Sequence, residues 1–519
     1  MDITSLYHLY WAIPVGYVVY AYVTDTYYTW KSAKTHPIAG ELSPLIPRPI
    51  LNLIFATRAA HLCRYSYQKF KNRAVQFIRS DGNILVLPVN TLNELSTLPA
   101  TVASPHDGLE NELMGRYTSI SLILDSRLHH SVVQRRLTPR IPVLVPIIEK
   151  SLSSAFQDCF PKSDHWVEMT PYDLFGKISA RANAPALVGP AFSKDPEWLD
   201  VAFNYTEQLM QTMTLLRMLP RSIQPFAAPF LPSYWRGRHC VQKAREILYP
   251  EIQQLMEAND KGLWDPESST KEEDTNVLSW LAGSIKGSER NPASIVHVQI
   301  LLAFASTHTS LTRTINCLYD IMEADPGLTN ELLAEIETVA VGAKGWTDVP
   351  YDRLHKLDSV LRESQRTSPT VLLGMKRLFK EPYTFTTGLH VPAGTFTTMM
   401  VAAIENDPEN TPNPEVFDGL RFYREKVALG LESPAARDLD FASATKTALG
   451  FGYGRTACPG RFFASLVTKM IFVKLLTEYE FKFLEGEERP RPFGLHDFLI
   501  TNPKKKILVR QRRGGVCPF

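Results

Sequence analysis

Residues 451–476 read FGYGRTACPGRFFASLVTKMIFVKLL, and the fold is decided by how this stretch is understood. Gly452, Gly454, Gly460 and Pro459 crowd around Cys458, and a helix-period apolar run begins at Arg461. Three glycines and a proline make a tight turn that holds a sulfur rigidly, with free backbone N–H groups nearby to stabilise a thiolate. A thiolate held this way is an electron-pushing ligand for haem iron. An isolated cysteine is ordinarily an inert buried thiol; this loop reverses that reading. The other five cysteines, Cys63, Cys159, Cys240, Cys317 and Cys517, are scattered without a C-x-x-C pair. They argue against a disulfide scaffold or a zinc site and for a reducing compartment.

Around that loop lies a chain of 519 residues in which 56 Lys and Arg nearly cancel 54 Asp and Glu, so no basic face for nucleic acid is expected. Neither a repeat nor a low-complexity spacer divides it, and residues 51–519 read as one catalytic domain. From Ile3 to Thr24 there is no charged residue. Such a stretch, about 33 Å long as a helix, is enough to cross a bilayer core. Asp2 precedes it, while Lys31, Lys34 and Arg48 follow. That asymmetry predicts a retained, single-pass anchor over residues 3–24 with the catalytic body in the cytosol. A buried core helix is the plainer alternative. The proline-dense residues 31–50 read as a non-helical, semi-rigid spacer.

Helical signals dominate from about Leu109 to Ala340, and the longest helix is expected from Pro292 to Asp325, where Pro326 stops it. Strands are expected at Asn83 to Pro88, within Tyr383 to Thr398, and at Lys506 to Gln511. This predicts a mainly α enzyme with a small β subdomain. Between Met218 and Trp235, Leu219, Ile223, Phe226, Phe230 and Leu231 lie among four prolines. This apolar loop is read either as a membrane-dipping segment or as core.

The cysteine loop resembles the haem-binding signature of the cytochromes P-450, F-x-x-G-x-R-x-C-x-G, with Phe451, Gly454, Cys458 and Gly460 in register. Thr456 departs from it, standing where the family usually has a propionate-contacting Arg; Arg455 next door is the expected substitute. The continuation CPGRFFA is similar to a fungal group of that family. The resemblance implies the cytochrome P-450 fold and haem b with Cys458 as axial ligand.

Other motifs follow in the family's order. Glu363 and Arg366 form an E-x-x-R pair on one helical face, and Arg421 resembles the arginine that completes the family's Glu-Arg-Arg triad, a structural role. In AFASTHTSLT, Ala305 and Thr309 share a helical face, and the stretch is similar to the oxygen-binding helix signature, with Ser306 in the Gly place and His308 where an acid is usual. A mid-helix threonine back-bonds to the carbonyl four residues earlier and opens a bend. The resemblance implies that Thr309 helps deliver protons; His308 is the second candidate, as a relay or as a ring turned into the helix bundle. By the same resemblance Arg377 contacts a propionate, and His130 with Arg135 resembles the helix segment where W-x-x-x-R is the wider pattern, here with the Trp absent. An exposed basic face of Arg135, Arg136, Arg140 and Lys469 is expected to meet an acidic flavoprotein reductase.

The implied function is that of a haem-thiolate monooxygenase in the endoplasmic reticulum membrane, monomeric, fed from NADPH by a separate NADPH-cytochrome reductase and oxidising a lipophilic small molecule. The substrate region is expected at Ala103 to Leu122, Phe304, Ala305 and Thr370 to Gly374. By analogy with fungal members of the family, the substrate is a terpenoid, meroterpenoid or indole-alkaloid intermediate of secondary metabolism. The alternatives are a haem-thiolate isomerase or dehydratase that needs no reductase, and a catalytically silent helical membrane protein.

Overall fold

The computed structural model describes residues 3–121, 127–269, 271–342 and 351–519; of the expected substrate region, Leu122 lies outside them. Its axis is the helix Pro292–Glu323, with Pro292 in the first turn and the Asn291 side chain accepting from the Ala293 N–H as the cap. Asp325 and Pro326 open the next helix, Pro326–Gly342, so the stop falls close to the expected point. Among the described residues this is the helix long and apolar enough to cross a membrane, yet it is buried by helices on several sides. Its partners are Pro171–Val188, Pro196–Arg217, Pro232–Asp260, His355–Thr367 and Arg461–Glu478. Packing of these apolar faces forms the main core, from Leu144 and Ile148 through Ile295 and Leu311 to Val467 and Ile471, all fully buried.

The β subdomain is a five-stranded sheet in the spatial order Val75–Arg79, Gly82–Val86, Phe396–Met399, Gly374–Phe379, Ala103–Ser104. The pair Gly82–Val86 and Phe396–Met399 is parallel and the others are antiparallel. Among the described residues three smaller sheets hold the remaining strands, one of them with Ile507–Gln511 between Val167–Met169 and Tyr479–Lys482. The strands read at 83–88, within 383–398 and at 506–511 all have counterparts. Val75–Arg79 and Gly374–Phe379 had no expected counterpart: the first has every residue buried and so lacks polar alternation, and the second carries a bulge between Gly374 and Arg377.

At the N-terminus the helix runs past the expected anchor into the expected spacer. One helix runs from Ile3 to Thr35, taking in the start of the proline-dense stretch. After it the chain does not hang free. The Gln76 N–H donates to the Pro37 carbonyl (2.9 Å), Ile38 and Ala39 are buried, and Pro49 sits in the first turn of the helix Arg48–Lys69. Proline ends one helix and starts another here. The far part of the Ile3–Thr35 helix exposes Val19, Tyr20, Val23, Tyr27 and Tyr28, and its near end is pinned where the Ser32 hydroxyl donates to the Gln76 side chain. The apolar loop is likewise on the surface: Phe226 is 75% and Phe230 85% exposed.

Candidate functional site

The cysteine loop enters the site through two glycines with left-handed backbone. Gly452 has φ 77° and Gly454 φ 65°, and a Cβ on Gly454 would lie 3.0 Å from Ser96 Cβ. The turn closes when the Cys458 N–H donates to the Phe451 carbonyl at 2.7 Å, and Phe451 packs edge-on against Phe441 at 5.3 Å. Cys458 is surface-accessible yet surrounded by protein. Burial pushes its thiol pKa up, while the backbone N–H groups of Gly460 and Arg461 and the Arg461 charge pull the other way. By contrast Cys317 is wholly buried, and burial drives its thiol far above the ordinary range.

On the long helix, Ala305 and Thr309 are exposed while Leu302, Ala303, Thr307 and Ser310 around them are buried. One face of a core helix therefore opens at these two residues. The Thr309 hydroxyl donates to the Ala305 carbonyl at 2.7 Å and lies 3.2 Å from the Ser306 carbonyl. This is the expected back-bond of a mid-helix threonine.

His308 takes the second of its two expected orientations, the one turned into the bundle. Its ring stacks on Phe203 at 4.8 Å and meets the Tyr172 edge at 6.3 Å, and burial lowers its pKa to about 4. Neither ring nitrogen has a hydrogen-bond partner among the described residues. A neutral imidazole caged by two aromatic rings is poorly placed for the expected relay beside Thr309.

Arg377 is buried at 4% exposure and donates to the Lys376 carbonyl and, from Nη2, to the Thr456 hydroxyl at 2.6 Å. Burial brings its pKa down to about 10, and no carboxylate among the described residues pairs with it. His106, whose ring lies 5.8 Å from that of His129, is lowered by burial and then by the charges of Arg127, His130 and Arg377, which places these groups together. Burial and Arg127 lower His130 as well. Arg455 is exposed, and no hydrogen bond or ion pair among the described residues holds it. Arg135 is exposed beside Arg136 and Arg140, both of which bind Glu267. The basic face is therefore smaller than expected, since Lys469 is buried and pairs with Asp358 at 2.7 Å.

The E-x-x-R pair and its third partner do come together. Glu363 receives Arg366 Nη2 at 2.6 Å and Nε at 2.9 Å, and Arg421 Nε at 3.2 Å. Arg366 and Arg421 spend their remaining donors on carbonyls of the 412–416 loop and, from Arg366 Nη1, on the Asn406 side-chain oxygen. A fully buried acid with both oxygens occupied fixes that loop to the helix.

A second buried ion cluster escaped the sequence reading. Glu112 and Asp497, each about 1% exposed, join Arg217 and Lys376, with Lys376 Nζ at 2.9 Å from Glu112 and 2.6 Å from Asp497. Arg79 adds itself to Glu112 at 3.3 Å and to Asp81 at 2.8 Å. These residues lie between 79 and 497 in the chain, and no local spacing signals their meeting.

The site's chemistry fits a haem. It offers an accessible thiol with backbone donors, an opened helix face with a hydroxyl, and a buried guanidinium without an anion, the partner a propionate would supply.

Comparison with known proteins agrees. A family model described as Cytochrome P450 matches residues 127–509. A cytochrome P450 monooxygenase of Emericella nidulans, AN1598, is 31% identical over 96% of this chain and 92% of its own. An ent-kaurene oxidase of Fusarium fujikuroi is 30% identical over 99% of this chain and 95% of its own. The cytochrome P450 monooxygenase janP of Penicillium janthinellum is 32% identical over 96% and 94%. Among solved structures, retinoic acid-bound cyanobacterial CYP120A1 shares the fold, with a TM-score of 0.60 at 17% identity over 88% of this chain and 96% of its own.

Proposed function

The chain belongs to the cytochrome P450 family and is a monooxygenase of that family; from that premise we propose that it is a membrane-anchored, reductase-dependent enzyme oxidising a lipophilic terpenoid-type skeleton. The observation that carries the reading is the pairing of an accessible Cys458 in its glycine loop with an accessible Thr309 on an otherwise packed helix.

In the proposed assignment Cys458 would ligate the haem iron, with Phe451 packed beside the loop and Gly454 and Gly460 shaping it. Arg377, with His130 in its neighbourhood, would hold a haem propionate. Haem, when bound, supplies the activation of dioxygen. Thr309 holds a proton at Oγ1 next to the opened helix face and passes it on, with the Ala305 carbonyl keeping the hydroxyl oriented. Phe304, against Tyr205 at 6.5 Å, and the segment 370–374 line the apolar side where substrate is held and water is kept out.

Electrons come from NADPH through a separate NADPH-cytochrome reductase. The relative named ent-kaurene oxidase aligns nearly end to end, which supports a polycyclic terpenoid as the first substrate to try. The exposed aromatic and apolar residues of the Ile3–Thr35 helix and the exposed Phe226 and Phe230 support an anchor and a second lipid contact. They fit a monomer in the endoplasmic reticulum membrane with its body in the cytosol.

The test is co-expression with a reductase and candidate scaffolds, followed by product analysis. Oxygenated product that appears only with the reductase supports the proposal. Turnover without a reductase, as rearranged product only, overturns it in favour of a haem-thiolate isomerase.

A further inference from the structure

Behind the cysteine loop stands a buried acid outside the haem-binding motif. Glu405 ends the short helix Val401–Glu405 and is 6% exposed. One of its carboxylate oxygens accepts from two successive backbone donors, the N–H of Leu449 and that of Gly450, the latter at 2.7 Å. A Cβ on Gly450 would lie 2.5 Å from the Gln365 side chain, which packs against this turn. The next residue, Phe451, is the one whose carbonyl receives the Cys458 N–H at 2.7 Å. The path from acid to cysteine is therefore the Gly450 N–H hydrogen bond, the Gly450–Phe451 peptide and the hydrogen bond from the Cys458 N–H to the Phe451 carbonyl. Burial raises the Glu405 carboxyl above its ordinary pKa, and the Leu449 and Gly450 N–H groups and two buried guanidiniums, Arg362 and Arg313, pull against it. Neither forms an ion pair among the described residues; Arg362 donates to the carbonyls of Asp438 and Asp440, and Arg313 to that of Ser368.

We propose that Glu405 is a positioning residue for the cysteine loop: it fixes the Leu449 and Gly450 amides, and so the sulfur, and its charge tempers the field that Arg362 and Arg313 project onto the metal site. The proposal rests on Cys458 being the haem ligand. An uncompensated pair of buried cations favours the more reduced, less positive iron, so loss of the Glu405 charge raises the midpoint potential. Loss of its oxygens frees two buried N–H groups and loosens the turn.

The test uses wild type, Glu405→Gln, Glu405→Asp and Glu405→Ala as haem-loaded full chains. Three readouts are the thiolate-type fraction of the reduced carbon-monoxide spectrum, the midpoint potential without substrate, and hydrogen exchange at Leu449 and Gly450. Glu405→Gln keeps an acceptor oxygen, so it is expected to hold most of the thiolate-type band while its midpoint moves positive. Glu405→Asp, charged but shorter, keeps the wild-type midpoint with a smaller thiolate-type fraction. In Glu405→Ala that fraction falls severalfold and the two amides exchange at least tenfold faster.

An unmoved midpoint in Glu405→Gln overturns the electrostatic half, because a merely structural role changes stability and not potential. Should Glu405→Gln fail to fold, a Glu405→Asp midpoint shifted as far as that of Glu405→Ala does the same. Unchanged band and unchanged exchange in Glu405→Ala overturn the positioning half. A wild type lacking the thiolate-type band sinks the ligand assignment and the proposal's link to the metal with it, an outcome distinct from any in which only the variants fail.

Discussion

Arg377 Nη2 donates to the Thr456 hydroxyl across 2.6 Å, joining the central sheet to the cysteine loop at the signature position where this chain departs from its family. Thr456 thus serves here as a hydrogen-bond acceptor for a buried guanidinium. Removing this acceptor leaves a buried guanidinium one partner short, which costs about 1.5–3 kcal/mol for a bond to a charged group. Thr456→Val is therefore expected to release haem roughly ten- to a hundredfold faster, measured by transfer to apomyoglobin, while Thr456→Ser stays near wild type. Equal rates in all three would show that the bond does not hold Arg377 in place.

The two cysteines on which the ligand assignment turns have opposite surroundings. Cys458 is accessible in its loop, whereas Cys317 is sealed in the long helix. Cys458→Ser should lose the thiolate-type spectrum and Cys317→Ser should keep it. Retention of that spectrum in both variants would refute the assignment.

Thr309 and His308 are neighbours in sequence with separate surroundings in space. Thr309→Ala should still bind substrate and consume NADPH, but with most electrons diverted to hydrogen peroxide. His308→Phe should keep coupling near wild type and, by removing two buried unpaired nitrogens, should gain up to about 1 kcal/mol in stability. Product formed per NADPH and thermal melting check both, and a larger coupling loss in the histidine variant would reverse the ranking.

Much of this site was legible because its chemistry is local. The loop around Cys458, the three-residue spacing of Glu363 and Arg366, and the four-residue spacing of Ala305 and Thr309 are each readable within one turn. Orientation was not. Whether His308 faces Thr309 or the bundle depends on Phe203 and Tyr172 on other helices. Lys469 reads as a surface cation until Asp358 is seen to receive it. Glu405, about 44 residues from the amides it holds, and the cluster around Glu112, whose members lie from 33 to several hundred residues apart, leave no periodic trace.

The Glu112 cluster has a pH consequence. Burial alone would raise the Glu112 carboxyl, but Arg217, Lys376 and Arg79 overcome it and hold the group well below the usual range. A folded-state pKa below the unfolded value gives stability that is present above about pH 4.3 and is lost as pH falls through the folded value. Glu112→Gln should flatten the fall in stability below about pH 4.3. It should also cost about 3–5 kcal/mol at neutral pH, since it leaves buried cations unmatched. Denaturant melts at stepped pH measure both, and a slope identical to wild type would remove Glu112 from the acid response.

Lipid contact is expected at two places that are separable by mutation. The exposed Val19, Tyr20, Val23, Tyr27 and Tyr28 lie on the N-terminal helix, and Phe226 and Phe230 lie on a loop with its own anchoring hydrogen bond, from Trp235 Nε1 to the Pro229 carbonyl at 2.8 Å. A spanning helix is effectively irreversible in its hold, whereas a surface patch of two aromatics binds reversibly. Deleting residues 1–30 should therefore release part of the protein from microsomes and leave a remainder that washes off. Adding Phe226→Asp and Phe230→Asp should release that remainder, because each carboxylate would have to leave water to enter the interface. The same two substitutions in the full-length chain should leave it in the pellet. Complete solubility after the deletion alone would show that the loop contributes no hold. Full retention after deletion and both substitutions would place the contact on another surface.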